Sequence, residues 1–146
     1  MSDVIILAQI AGRPCAMRAS EVETVIEIGA ITPIPRAPAH ILGLTALRSQ
    51  ALTVVDCRTI VGANLDDFTT DSRAAVVRVE GHSYALRVDQ IRDVATMASD
   101  PEAIAGGFGK AWSSFAEGIV ETETGPALLI SAQKLLTSIG NSQVAA

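Results

Sequence analysis

A mainly β fold, built as two small barrels around a shared core with short helices, is predicted by three features of the sequence. The first is an internal repeat. Residues 7–25, LAQIAGRPCAMRASEVETV, align without gaps on residues 76–94, VVRVEGHSYALRVDQIRDV. The alignment brings Gly12 onto Gly81, Ala16 onto Ala85, Arg18 onto Arg87 and Val25 onto Val94, and sets Leu7, Ile10, Met17 and Val22 on Val76, Val79, Leu86 and Ile91. A second pair, GLTALRSQALTVVDCRTIVG at 43–62 and GIVETETGPALLISAQKLLTSIG at 118–140, follows at a longer offset. The second copy therefore carries extra residues, which fall in SDPEAIAGGFGKAWSSF. The second feature is composition: 49% of the 146 residues are apolar but only 3% are aromatic. The core must then be Val, Ile, Leu and Ala, a β-branched bias that favours strands. The third is the local pattern of short apolar segments, tight turns and a closing helical turn.

Each copy reads in the same order. An apolar strand reaches a glycine turn, Ala11-Gly12-Arg13 or Glu80-Gly81-His82, and a second short strand returns. A polar turn follows, where Ser20 with Glu23 fits a capping box and Asp89 takes the matching place. After a loop comes a second hairpin, turning at Arg48-Ser49-Gln50 and at Glu123-Thr124-Gly125. A helix closes each copy: Asp56 is the cap and Gly62 the stop of the first, Ser131 and Gly140 those of the second.

A barrel of about 60 residues is marginal alone, and two with nearly continuous apolar strands gain by packing together. Residues 1–146 are expected to form one domain. The first barrel would span about 15–72 and the second about 73–140 with the N-terminal strand added. The acidic stretch ANLDDFTTDS at 63–72 is the expected connection.

The net charge of −5 argues against nucleic acid, whose phosphates require clustered Lys and Arg. The opening apolar run is too short to span a bilayer and lacks a basic leader, so a cytoplasmic protein without direct membrane contact is expected. Cys15 and Cys57 have no metal or redox spacing and read as small buried hydrophobes, with a disulfide as the minor alternative. No catalytic arrangement is visible. His40 and His82 have no ligand-spaced neighbours, and GGFG at 106–109 lacks the context of a phosphate loop. Asp66, Asp67 and Asp71 read as a solvated linker rather than a cation site. No metal or cofactor is expected, and no enzymatic activity.

Two features invite a partner. TPIPRAPAHI at 32–41 has three prolines, which remove amide donors and fix an extended backbone, so it reads as a strap across a barrel or as the wall of a groove. Arg48 reads either as a solvated turn residue or as a cation on an apolar platform of Leu44, Leu47 and Leu52, suited to protein recognition. Its counterpart in the second copy is Glu123, a reversal of charge that fits two barrels with different duties.

The segments VETVIEIGAITPIPRAPAHILGLTALR, LTVVDCRTIVG and YALRVDQIRDV, with the pattern P-x-x-P, G-x-x-x-L-R and V-V-D-x-R, resemble the CheW-like chemotaxis adaptors over about residues 4–140. The resemblance implies two SH3-like five-stranded β-barrels packed around a shared core. It also implies an adaptor with two partners: the cytoplasmic tip of a chemoreceptor, the methyl-accepting chemotaxis protein, and the regulatory domain of the chemotaxis histidine kinase. On the receptor side it implies Gly43, Leu47 and Arg48 from the G-x-x-x-L-R pattern, with Val22, Thr24 and Val25 after the first hairpin. Kinase-side residues stay unassigned, and the place of work is the cytoplasm beside receptor arrays. The chain departs from the family pattern at Ser49, Thr53 and Thr24, where glycine, proline and an acid are usual. A competitor of a main adaptor, a detached kinase regulatory domain, and a small ligand-binding barrel using GGFG and His82 are the alternatives.

Overall fold

The computed structural model describes residues 4–62, 72–97, 100–103 and 109–143. Among them ten strands form two five-stranded sheets. The strands are β1 (Val4–Ile10), β2 (Arg13–Arg18), β3 (Val22–Glu27), β4 (Ile41–Leu47), β5 (Gln50–Asp56), β6 (Arg73–Val79), β7 (His82–Arg87), β8 (Gln90–Thr96), β9 (Ala116–Thr122) and β10 (Gly125–Ile130). The helices are α1 (Cys57–Ile60), α2 (Lys110–Ser113) and α3 (Ala132–Gln143), and a single 3-10 turn spans Ala19–Glu21.

One sheet has the order β8-β1-β2-β10-β9, the other β3-β6-β7-β5-β4. Strands that match in the repeat hold equivalent places, down to the register. β2 runs parallel to β10 with Cys15 opposite Leu128, and β7 runs parallel to β5 with Tyr84 opposite Thr53. The copies have nevertheless exchanged parts. The hairpin β1–β2 of the first copy lies among β8, β9 and β10 of the second, and β6–β7 lies among β3, β4 and β5 of the first. The expected division at residues 72 and 73 is therefore not the division of the sheets. Similarity along a chain reveals which segments are alike, but pairing is decided by packing across distant residues.

The apolar strands are continuous because they are buried on both faces. One cluster, with Ile5, Ala16, Val120, Ala127 and Leu129, fills the first barrel, and another, with Leu52, Val54, Ala74, Val76 and Ala85, fills the second. A third and larger cluster joins them, with Ile6, Ile10, Met17, Val55, Val77, Leu86, Phe115, Ile130 and Leu135. β1 shows the alternation directly, since Ile5 points into its own barrel and Ile6 into the shared core. The shared core is what makes two marginal units one stable body.

Each barrel is closed by the segment that follows its first outer strand. After β3 the chain crosses to the far edge of the sheet, where Thr32 exchanges two backbone hydrogen bonds of 2.8 Å with Leu44 of β4. After β8, Glu102 does the same with Ile119 of β9, again at 2.8 Å. A glycine makes room at each crossing. A Cβ on Gly43 would stand 2.2 Å from the Thr32 carbonyl oxygen, and one on Gly118 would stand 2.6 Å from that of Glu102. In the second barrel Thr45 takes the place of Val120, and its hydroxyl donates to the Ala30 carbonyl at 3.0 Å, tying the strap inward.

The helix caps follow the sequence closely. Asp56 Oδ1 accepts from the Arg58 amide at 2.9 Å, and Ser131 Oγ accepts from that of Lys134 at 3.1 Å. Two local expectations change. The turn after β2 has Arg18 at its cap with no side-chain cap bond, so Ser20 and Glu23 form no capping box. α3 continues past Gly140 to Gln143. The acidic connection lies outside the described residues apart from Ser72, as does GGFG apart from Gly109.

Candidate protein-binding surface

Arg48 and Ser49 form the two-residue turn between β4 and β5, with φ of 50° and 70°. Such a turn needs positive φ at both positions, because only then does its twist match that of the strands. The hairpins β1–β2 and β6–β7 make the same kind of turn with Gly12 and Gly81 in second place. In the β4–β5 turn neither residue is glycine, so a left-handed backbone is held at two side-chain-bearing residues at a cost of about 1 kcal/mol each. The turn is exposed. Arg48 makes no hydrogen bond or ion pair among the described residues, so its guanidinium is presented to solvent.

The apolar surroundings differ from the expected platform. Leu52 is fully buried in the core of its barrel, because it pairs with Thr45 on the inward face. Leu44 pairs with Thr53 on the other face and is 37% exposed, and Leu47 is half-buried against the barrel core. Gly43 is buried and faces the strap, so its role is to let the strap pass.

Val22, Thr24 and Val25 lie on β3, at the opposite end of the sheet order from β4. Thr24 and Val25 are exposed, and Val22 is half-buried against the shared core. By register, the start of β3, the Glu80–Gly81 turn and the Arg48–Ser49 turn share one end of the sheet.

At the opposite end of the sheet, where β5 passes into α1, lies a buried ion pair. Asp56 and Arg58 are 0% and 5% exposed, and Asp56 accepts from Arg58 Nε at 3.1 Å and Nη2 at 2.8 Å. Hydrogen bonding to Asp56 pushes the Arg58 guanidinium pKa up, which favours its charged form in the interior. The D-x-R spacing was visible in the sequence as part of a pattern, but its mutual burial was not. Cys15 and Cys57 are both buried and free. Burial pushes the Cys15 thiol up to about 12 and that of Cys57 higher still, so both are unreactive packing groups. Burial also lowers His40 below the usual imidazole range, while His82 is exposed on its hairpin. Among the described residues no group of three His, Cys, Asp or Glu is placed to hold a metal.

An Arg18–Glu117 ion pair and the carboxyl of Glu21 lie where the 3-10 turn meets the start of α3. Burial is the largest cause that raises the Glu21 carboxyl, and Glu117 adds to it. The amides of Gln133 and Ala132 and the charge of Arg18 act in the opposite sense. Sequence spacing gave no sign of this junction, because its members come from three distant segments.

The family model of the CheW-like domain matches residues 5–140, nearly the whole chain. The chain belongs to the CheW-like domain family. Among relatives, the chemotaxis protein CheW of Rhizobium meliloti (strain 1021) is 33% identical over 67 residues, which cover 46% of this chain and 43% of that protein. The crystal structure of the scaffolding protein TtCheW from Thermoanaerobacter tengcongensis superposes with a TM-score of 0.80 at 23% identity, covering 92% of each chain. That likeness identifies the two CheW-like sheets as SH3-like barrels. Within the described residues, no helix of this CheW-like chain is long and apolar enough to cross a membrane.

Proposed function

We propose that this chain is a non-enzymatic adaptor of chemotaxis-type signalling that holds the cytoplasmic tip of a chemoreceptor and the regulatory domain of the chemotaxis histidine kinase at the same time. The match to the CheW-like family across residues 5–140 carries this reading. On the receptor side the adaptor uses Arg48 and Leu47 with Val22, Thr24 and Val25, and Gly43 serves by seating the strap. Support comes from the exposed Arg48 turn, whose cation has no partner among the described residues. Arginine is enriched at hot spots, and its planar guanidinium loses little freedom per hydrogen bond formed. Coupling then requires no chemistry. A receptor that shifts between two states changes the free energy of the kinase's bound states by the difference in contacts passed through the adaptor. The adaptor works in the cytoplasm, beside receptor arrays.

Co-purification from cells with identification of the bound chains tests the class, and recovery of both receptor and kinase is the expected result. Arg48→Glu is expected to weaken receptor capture by about tenfold or more, as for loss of a hot-spot arginine, with an unchanged circular dichroism spectrum. Undiminished capture removes Arg48 from the site.

A further inference from the structure

The hairpins at the centres of the two sheets end in the same turn but in different surroundings. Ala11 and Gly12 have φ of 51° and 78°, Glu80 and Gly81 of 53° and 81°. In this turn the two amides are not used by the strand ladder and form a small two-donor nest for an anion.

The first nest is filled from within. Asp89 Oδ1 accepts from the Ala11 amide at 2.9 Å and Oδ2 from the Gly12 amide at 2.7 Å, and Asp89 is buried. It reaches this place because the chain runs directly from β7 into β8, with the Asp89 amide donating to the Gln9 carbonyl at 2.9 Å.

The second nest has no such occupant among the described residues. The repeat sets Ser20 where the other copy has Asp89. Here the chain coils into the 3-10 turn Ala19–Glu21, with the Val22 amide bonded to the Ala19 carbonyl. Ser20 is exposed and makes no hydrogen bond to Glu80 or Gly81 among the described residues. A hollow of about 380 Å³ stands there, lined by Ser20, Glu21, Glu23, Arg78, Glu80 and Gln133 among others. Arg78 matches Gln9 of the first copy. It is exposed and has no ion-pair partner among the described residues.

We propose that the Glu80–Gly81 turn and Arg78 form a docking site for the carboxylate of an Asp or Glu side chain on a partner protein, which completes the second nest as Asp89 completes the first. Arg78 supplies the opposite charge. Of the carboxylates in the hollow, Glu23 and Glu80 are exposed to solvent, which screens them. The Glu21 carboxyl faces the backbone amides of Gln133 and Ala132, which offset part of its charge. Two amides and one guanidinium hold an isolated carboxylate only weakly, so the site acts as one contact within a larger interface and is unsuited to capturing a free metabolite. The proposal requires neither the receptor nor the kinase assignment, since its reporters are the two amides themselves.

The full chain, labelled with ¹⁵N, is titrated with N-acetyl-aspartate N-methylamide, and the asparagine analogue serves as the uncharged control. The Glu80 and Gly81 amide signals are expected to move downfield and saturate, while those of Ala11 and Gly12, already occupied, stay in place. Arg78→Gln is expected to weaken the apparent affinity by about tenfold, the loss of one charge-assisted contact, with the rest of the spectrum unchanged. The proposal is overturned if Glu80 and Gly81 do not move, if the asparagine analogue moves them as far, or if Arg78→Gln responds like the parent. A parallel titration with free succinate separates the sources, and tighter binding of succinate than of the capped aspartate would overturn the side-chain reading.

Discussion

The two barrels are built from the same parts, and their differences separate what the fold requires from what remains free for other duties. Both have a strap over an outer strand and a glycine beneath it, Gly43 in one and Gly118 in the other. Both place a capping residue before a closing helix, but Asp56 holds a buried Arg58 whereas Ser131 caps α3 through its hydroxyl. Both have an outer hairpin, yet one turns on left-handed Arg48 and Ser49. The other turns at Glu123 and Thr124 and leaves positive φ to Gly125. Features common to both barrels are geometric necessities. The features that differ are polar side chains: some are exposed, as at the outer hairpin turns, and some are buried, as at Asp56–Arg58, Thr45 and Asp89.

Exchanging residues between the copies tests this division. The largest effect is expected from Asp56→Ser, which installs the residue of the other barrel. The buried Arg58 then loses its counter-charge, at a cost of about 3–5 kcal/mol, read as a fall in Tm of about 10 °C. Ser131→Ala, which removes only a neutral cap, should cost about 1 kcal/mol. If the two costs are equal, the caps do the same job in both barrels. Next comes Gly43→Ala, where the added methyl meets the strap carbonyl and the backbone has φ of 144°. About 3 kcal/mol is expected in chemical denaturation. Gly118→Ala should cost less, because its φ is not in the left-handed region.

Glu21→Gln also installs the matching residue, since Gln90 stands there in the second copy. The Glu21 carboxyl is raised in the folded state, first by burial. It therefore holds its proton more firmly when folded, so this contribution favours folding at low pH and is lost as pH rises above the ordinary 4.5. The variant should melt higher than the parent at pH 7, with the gap closing toward pH 4. A gap independent of pH would assign the gain to packing instead. The smallest effect is expected from Ser49→Gly, which gives the third hairpin the glycine of the other two. A stabilisation of about 0.5 kcal/mol is expected, and a loss of stability would show that Ser49 contributes a contact of its own.

The strands, the hairpin turns and both helix caps were legible in the sequence because each depends on neighbours within a few residues. The strap was legible through its prolines, and Gly43 through its pattern, though not the carbonyl it accommodates. The platform under Arg48 was misjudged at Leu52. Facing residues of a hairpin share a side, and Leu52 faces the inward Thr45. The capping box at Ser20 failed because a 3-10 turn of three residues replaces a helix there. Hairpin exchange was not visible, since two similar segments offer nearly the same hydrophobic face to either sheet. As a candidate for recognition, Arg48 stood out by its charge between apolar runs, whereas Val22, Thr24 and Val25 came from the family pattern alone.

The exchange of hairpins bears on how the polypeptide is made. β1 and β2 leave the ribosome long before the strands that flank them, β8 and β10, which end at Thr96 and Ile130. Synthesis must pass Ile130 before the β1–β2 hairpin finds its place, and during that interval its apolar faces need protection from neighbouring nascent chains. For the same reason, a truncated product has no intact half to retain.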